Sequence, residues 1–200
     1  MATYLDSLTK NPNQTKLLNP EIIRRTHVNR SYYFLYHTTR KALLDVMTKD
    51  NQIESELTTA RIKLHEIFQH HWTLIKFYED LAEILKQETQ NTELADLAED
   101  VSFALKTYKI LRELADYHID IHNPKKVKHK IDFLDPTKTP TTWNLLSINS
   151  LQNRANEIIT KTNKLFKDLS EITLIWYPQI IRDILEKIEF QLNTKRKRTS

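Results

Sequence analysis

Residues 52–90 read QIESELTTARIKLHEIFQHHWTLIKFYEDLAEILKQETQ, and their apolar positions recur at alternating steps of four and three. This heptad spacing is typical of a long amphipathic helix that packs against another helix. We therefore predict one continuous helix here, on the order of 55 Å long at 1.5 Å per residue. The side chains of this seam are Ile53, Leu57, Ala60, Leu64, Ile67, His71, Leu74, Tyr78, Leu81 and Leu85.

Similar periodicity predicts helices over most of the remaining chain. Asn19 and Pro20 are residue types preferred at an N-cap and at the first helical position. Asn51 is expected at the turn after the first helix, because asparagine tolerates positive φ angles better than most residues. The predicted helices cover about 20–49, 52–90, 93–121 and 147–193, the last with a kink or break at Tyr177-Pro178.

The composition points to the same fold class. The chain has 200 residues and no glycine, where an average usage of roughly 7% would give about 14. Tight hairpins, phosphate-binding loops and nucleophile elbows depend on the positive φ angles that glycine adopts. The absence of cysteine excludes disulfides and thiolate metal sites. We predict an all-α, non-enzymatic protein that needs no cofactor.

The predicted architecture is a bundle of four to five long helices with an extended N-terminal arm and one proline-rich loop. The arm covers 1–18, the bundle 19–193 and a basic C-terminal tail 194–200. The loop covers 123–146, where three prolines prevent a long helix. We expect no secretory signal peptide. We also expect no transmembrane segment, since no apolar run approaches the roughly 20 residues that a membrane span needs.

Charge is distributed unevenly along the chain, although the formal net charge is only +4. Residues 1–49 carry eight Lys and Arg against three Asp and Glu, and residues 123–200 carry fifteen against eight. Residues 50–122 carry seven against fifteen. This layout indicates self-association of basic ends with an acidic middle, neutralisation of a polyanion, or solvated faces that merely differ in sign.

The first predicted helix mixes basic and aromatic side chains. Residues 24–41 read RRTHVNRSYYFLYHTTRK and contain no Asp or Glu. Positions 27, 30, 34, 37 and 41 lie along one helical face. Arginine binds phosphate through two parallel hydrogen bonds, and tyrosine can stack or donate along a nucleic-acid backbone. The alternative is an ordinary amphipathic helix with buried aromatic side chains and solvated arginines.

Two further basic segments, KKVKHK at 125–130 and KRKR at 195–198, can also contact phosphates. The second is equally typical of a localisation signal or a solvated tail. The candidate nucleic-acid-binding residues are therefore Arg24, Arg25, Arg30, Tyr33, His37, Arg40, Lys41, Lys125, Lys126, Lys128, Lys130, Lys195, Arg196, Lys197 and Arg198.

Histidine positions offer a weaker hypothesis. His118 and His122 have the i, i+4 spacing at which two imidazoles can share a metal, but no third ligand is evident. We favour surface histidines at a helix end and no metal site. His71 lies on the heptad seam and is interpreted as a core histidine satisfied by hydrogen bonds. The tryptophans interpreted as packing residues are Trp72, Trp143 and Trp176.

The layout of the whole chain resembles the α-helical major coat proteins of filamentous archaeal viruses. An arm (ATYLDSLTKNPNQTKLLNP) precedes the basic, tyrosine-rich helix (RRTHVNRSYYFLYHTTRK) and a glycine-free helical region. In that family, arms and helices of paired subunits wrap double-stranded DNA and hold it in A-form. The resemblance implies that double-stranded DNA is the favoured partner. The DNA-facing residues that it implies are Arg24, Arg25, Arg30, Tyr33, His37, Arg40 and Lys41.

We therefore expect a structural protein that binds and packages nucleic acid without sequence specificity and self-associates, as a filamentous virion coat subunit does. Its expected location is the virion or the host cytoplasm. The alternative is a helical adaptor or scaffold subunit, in which the heptad seams and the acidic segment meet a partner helix. A helical enzyme that uses His118 and His122 is the third hypothesis.

Overall fold

The structure is a computed structural model that describes residues 20–89, 92–117, 148–171 and 177–199. The α-helices in these ranges are α1 (Pro20–Lys49), α2 (Asn51–Thr59), α3 (Leu64–Ile67), α4 (His71–Ile84), α5 (Thr92–Tyr117), α6 (Ile148–Glu171) and α7 (Tyr177–Thr199). A π-helix, Leu85–Thr89, follows α4 directly. The described residues contain no β-strand, so the predicted all-α class is confirmed.

The first helix has the predicted bounds. It begins at Pro20, whose fixed φ angle suits the first turn, and ends at Lys49. Its most deeply buried apolar side chains recur at helical spacing, and each is at most 1% exposed: Val28, Tyr32, Leu35, Leu43 and Met47. Because these side chains occupy one side of α1, other sides of the helix are left for its basic and polar residues.

The chain divides into two compact units. The described residues of the first unit are 20–33, 107–117 and 148–153. Those of the second unit are 34–89, 92–106, 154–171 and 177–199. The helices α1, α5 and α6 contribute residues to both units.

The prediction of one continuous helix over 52–90 is wrong. The chain instead forms α2, a turn at 60–63, the short α3, and then α4 from His71. The turn places Arg61 at a φ angle of 56°, in the left-handed region that glycine otherwise supplies. A chain without glycine thus turns here on an arginine, and the heptad seam is divided among three helices.

Asp50, not Asn51, marks the boundary between α1 and α2. Its Oδ1 accepts hydrogen bonds from the backbone N–H groups of Gln52 at 2.9 Å and Ile53 at 3.1 Å. A carboxylate at this N-cap satisfies two helix donors and lies at the positive end of the helix dipole. Asn51 is the first residue of α2.

Two buried hydroxyl groups hold the chain between α3 and α4. Tyr36 of α1 donates to the Phe68 carbonyl at 2.8 Å. The Thr73 hydroxyl lies 2.7 Å from the Ile67 carbonyl oxygen and 2.6 Å from that of His70. Where a helix is interrupted, carbonyls lose their usual donors, and these side chains replace them.

Aromatic side chains fill much of the core of the second unit. The Phe77 ring lies 5.6 Å from Tyr78 and 6.0 Å from Phe68 between centroids, both in edge-to-face geometry. Tyr78 also lies 6.1 Å from Phe166 of α6. The helix α7 packs against α2, α3 and α4. Its fully buried side chains are Ile181, Leu185 and Ile188.

Some predicted features fall outside the described residues. These are the arm 1–18, the loop 123–146, Trp143, Trp176, and the end of the third predicted helix beyond Tyr117. The interruption before Pro178 is also undescribed, since residues 172–176 are not included. At the C-terminus, α7 continues through Thr199, whereas we expected a tail from residue 194.

Candidate nucleic-acid interface

Four exposed side chains along one face of α1 form the candidate interface, here named the α1 stripe. Arg30, Phe34, His37 and Lys41 follow one another at steps of four, three and four, so they lie in a line on the helix surface. Phe34 is 52% exposed. His27, which the sequence predicts on this face, is buried at 6% exposure, so the stripe begins at Arg30.

The two cations of the α1 stripe have few carboxylates near them. Within the described ranges, no carboxylate pairs with Arg30. Lys41 lies 2.9 Å from Asp45, and both side chains are largely in solvent. The hydrogen bond from Lys41 lowers the pKa of the Asp45 carboxyl group. An exposed pair of this kind is weak and screened by salt, so a polyanion can compete for Lys41.

Arg40 turns away from the α1 stripe. It is half-buried, and its Nε atom is buried without a hydrogen-bond partner in the described part of the chain. Burial raises the pKa of Tyr36, and the nearby positive charge of Arg40 opposes that effect. Arg40, predicted as a DNA contact, is thus partly enclosed by its own chain.

Arg25 has a structural contact within the first unit. Its Nη1 donates to the backbone carbonyl of Ala115 at 2.7 Å, in the last turn of α5. Carbonyls at a helix C-terminus lack intrahelical donors and carry the negative end of the dipole. The Asn29 side chain donates to Asp116 at 2.5 Å beside it. Arg25 therefore joins α1 to α5, which the sequence did not indicate.

Tyr33 is also partly engaged within the first unit. Its ring is 38% exposed, and the guanidinium carbon of Arg112 lies 5.5 Å from the ring centroid. The same guanidinium lies 5.9 Å from the Tyr32 ring, and its Nε lies 2.9 Å from Asp116. This cation–π contact leaves less of Tyr33 available to a ligand than its sequence position suggests.

Lys195, the first residue of the KRKR segment, contacts Trp72 in the second unit. Its Nζ lies 3.8 Å from the centroid of the half-buried indole ring. A cation over a tryptophan face is attracted by the ring quadrupole. The predicted packing role of Trp72 therefore includes a contact with α7, and Lys195 already has an intramolecular partner.

The remaining candidate side chains lie outside the described part of the structure. They are Arg24, Lys125, Lys126, Lys128, Lys130, Arg196, Lys197 and Arg198, together with His118 and His122 of the metal hypothesis.

Acidic residues of the middle segment pair with cations of the C-terminal third inside the second unit. Between α6 and α5 the pairs are Lys161–Asp100 and Lys164–Glu93. From α7 they are Arg182–Glu56 at 2.7 Å and Lys187–Asp80 at 3.2 Å. The opposite charges of these two segments thus meet within one chain.

His71 is not the fully buried core histidine that the seam predicts. It is half-buried, and its ring stacks on Tyr36 with centroids 4.3 Å apart and planes inclined by 14°. The phenol of Tyr36 donates to the Phe68 carbonyl, which fixes the ring that His71 contacts. His71 thus serves as a stacking partner at the start of α4.

A groove of about 470 Å³ lies between the end of α1 and α6 in the second unit. Lys49 and Lys167 line it together with Asp45 and Asp50, above the ring of Phe166. Charges of both signs in equal number favour neither an anionic nor a cationic ligand. In the described ranges, no three His, Asp or Glu side chains come together as metal ligands. We assign no cofactor to this groove.

Phe34 is the residue that the sequence-based list of binding residues omitted. That list contains Tyr33, its neighbour, yet Phe34 is the more exposed of the two at 52% against 38%. The helical spacing of positions 30, 34, 37 and 41 was the signal that could have included it.

Comparison with protein-family models, curated protein sequences and solved structures finds no significant match to this chain. Within the described ranges, every helix is too short or too polar to cross a membrane. The functional argument therefore depends on the geometry given above.

Proposed function

We propose that this protein is a non-enzymatic structural protein that binds and packages nucleic acid without sequence specificity. The observation that carries the proposal is the α1 stripe, in which Arg30 and Lys41 flank the exposed rings of Phe34 and His37. Cations that neutralise phosphates release condensed counterions, which gives affinity without reading the bases. The absence of Asp and Glu over residues 25–41 keeps repulsion of phosphate low there.

The use of charge elsewhere in the chain supports this assignment. In the second unit, cations of α6 and α7 pair with carboxylates of α2, α4 and α5. Neither Arg30 nor Lys41 takes part in those pairs. The described surface that offers a polyanion the least carboxylate competition is therefore on α1.

In this proposal the protein also associates with itself or a related subunit along the nucleic acid, as a filamentous virion coat does. The bundle of four to five long helices would then form the subunit contacts. The arm 1–18, the loop 123–146 and the last basic residues would extend the contact with phosphates. The corresponding location is the virion or the host cytoplasm. Electron microscopy of the protein with and without DNA tests this part, because packaging requires filaments that depend on nucleic acid.

Fluorescence anisotropy with labelled oligonucleotides across a salt series tests the interface itself. The slope of log affinity against log salt falls by about 0.7–0.9 for each phosphate contact removed. The variant Arg30→Gln/Lys41→Gln removes both cations of the α1 stripe. We expect it to reduce the slope by about 1.5.

The matched control is Arg61→Gln/Lys63→Gln. Arg61 is exposed, and no carboxylate in the described ranges pairs with it. Lys63 forms an exposed pair with Glu66 at 3.0 Å, much as Lys41 does with Asp45. The control changes net charge equally, so it should leave the slope near the wild-type value. Equal losses in both variants would mean that net charge alone is responsible, and absence of salt-dependent binding by the wild type would refute the proposal.

A helical adaptor is the second candidate function, and Phe190 favours it. This side chain is 73% exposed on α7, beside the exposed Glu186 and Asn193. An exposed aromatic side chain is a common anchor in protein–protein interfaces. This function predicts a defined heteromer by light scattering that Phe190→Ala disrupts, and no retention of nucleic acid.

A further inference from the structure

We infer that the α1 stripe binds unpaired nucleotides, with a base stacked on Phe34, so that the preferred nucleic acid is single-stranded. The inference rests on the proposed function and specifies the form of nucleic acid that the same site takes. It differs from the double-stranded DNA that the resemblance to filamentous virus coat proteins implies.

The exposure of Phe34 is the first argument. Half of this apolar ring is in water at 52% exposure, and within the described residues no other ring or cation contacts it. The surface of a duplex offers phosphates and sugars, to which phenylalanine brings neither charge nor a hydrogen bond, because the base faces are hidden in the stack. An unpaired base offers a π-face that can cover the ring whatever its identity.

The neighbours of Phe34 on the helix are the second argument. Arg30 lies one turn before it and Lys41 two turns after it, about 16 Å apart along the helix axis at 1.5 Å per residue. His37 adds a second exposed planar ring on the next turn. Cations at both ends can hold the backbone while rings between them take bases, as in stacking platforms for single strands.

Other aromatic side chains with some exposure lack this combination. The Tyr33 ring already carries the guanidinium of Arg112 at 5.5 Å. Phe190 is 73% exposed, but Glu186 precedes it by one turn and would repel phosphate. Stacking and charge neutralisation therefore coincide at Phe34.

The experiment compares labelled oligodeoxythymidine with its duplex on oligodeoxyadenosine by fluorescence anisotropy. Phe34→Leu keeps an apolar side chain and removes the aromatic face. We expect it to weaken binding of oligodeoxythymidine by about 5- to 100-fold, as measured for base–aromatic stacking, and to leave duplex binding unchanged. Phe34→Tyr keeps the ring and should retain wild-type affinity. Phe190→Leu makes the same change outside the α1 stripe and should have no effect.

Each other outcome overturns the inference in a recognisable way. If the wild type prefers the duplex, or if Phe34→Leu weakens both forms equally, the stacking assignment is wrong while nucleic-acid binding stands. If Phe34→Leu alters the oligomeric state by light scattering and leaves oligodeoxythymidine affinity intact, Phe34 is a subunit contact. If the wild type binds neither form, the proposed function itself fails. Circular dichroism of each variant establishes that these differences do not come from unfolding.

Discussion

Replacing Thr73 with valine removes the hydroxyl group that holds the chain between α3 and α4 and keeps the shape of the side chain. Thr73 is 0% exposed. Its Oγ1 lies 2.7 Å from the Ile67 carbonyl oxygen and 2.6 Å from that of His70. The His70 carbonyl also accepts from the backbone N–H of Thr73 at 3.1 Å, so the Ile67 carbonyl depends more on the hydroxyl.

The size of the effect follows from the carbonyl that is left behind. An unsatisfied buried acceptor costs about 1–3 kcal/mol. His70 is exposed and keeps its backbone donor, so only one carbonyl is affected. We expect Thr73→Val to lower the free energy of unfolding by about 1.5 kcal/mol, which for a chain of this size lowers the Tm by about 3–6 °C.

Thr162→Val is the matched control, because Thr162 is 1% exposed and its hydroxyl donates to the Ile158 carbonyl at 2.8 Å. That carbonyl lies four residues earlier in α6, where the helix supplies its own N–H donor. The control should therefore change the free energy of unfolding by less than about 0.5 kcal/mol. Urea titration followed by far-UV circular dichroism measures both variants. Equal losses in the two, or no loss in Thr73→Val, would show that the hydroxyl does not anchor the interrupted helix.

Three further predictions concern charged contacts of the second unit. Asp80 is 2% exposed and receives Lys76 at 2.7 Å and Lys187 at 3.2 Å. Asp80→Asn should therefore lower the free energy of unfolding by about 2 kcal/mol, and a urea midpoint equal to that of the wild type would contradict this. The hydrogen bond to Asp80 raises the pKa of Lys76 above its ordinary 10.5, so the resulting stabilisation is complete below pH 10.5 and is lost as the pH rises through the raised pKa. The urea midpoint should accordingly fall less at alkaline pH in Asp80→Asn than in the wild type, and parallel curves would exclude this linkage. Lys195→Met removes the cation 3.8 Å from the Trp72 ring and should change the tryptophan emission spectrum, whereas an identical spectrum would mean that the contact does not persist in solution.

Helix positions could be predicted because they depend on local sequence. Pro20 supplies the first turn of α1, and apolar spacing identifies its buried side. The interruption after α2 could not be predicted, because the seam keeps its heptad spacing through residues 60–64 and arginine is a good helix former. Distant hydroxyl groups on Tyr36 and Thr73 stabilise the broken segment, and sequence spacing does not reveal such contacts.

The candidate interface was partly predictable for the same reason. Helical spacing alone places the α1 stripe on one face. The contacts that engage the other cations come from remote positions, since Arg25 uses the carbonyl of Ala115 and Lys195 lies on the ring of Trp72. Periodicity identifies which residues share a helix face and cannot identify which of them the folded chain has already used.

The π-helix Leu85–Thr89 makes the chain locally adjustable in length. Its i→i+5 hydrogen bonds enclose one residue more than the i→i+4 bonds of an α-helix. Deleting a single residue there would restore an ordinary turn and leave α4 as it is, whereas a deletion inside α4 would rotate every later side chain by about 100°. This segment is therefore where homologues differing by one residue would align with a gap, and where an engineered deletion should be tolerated best.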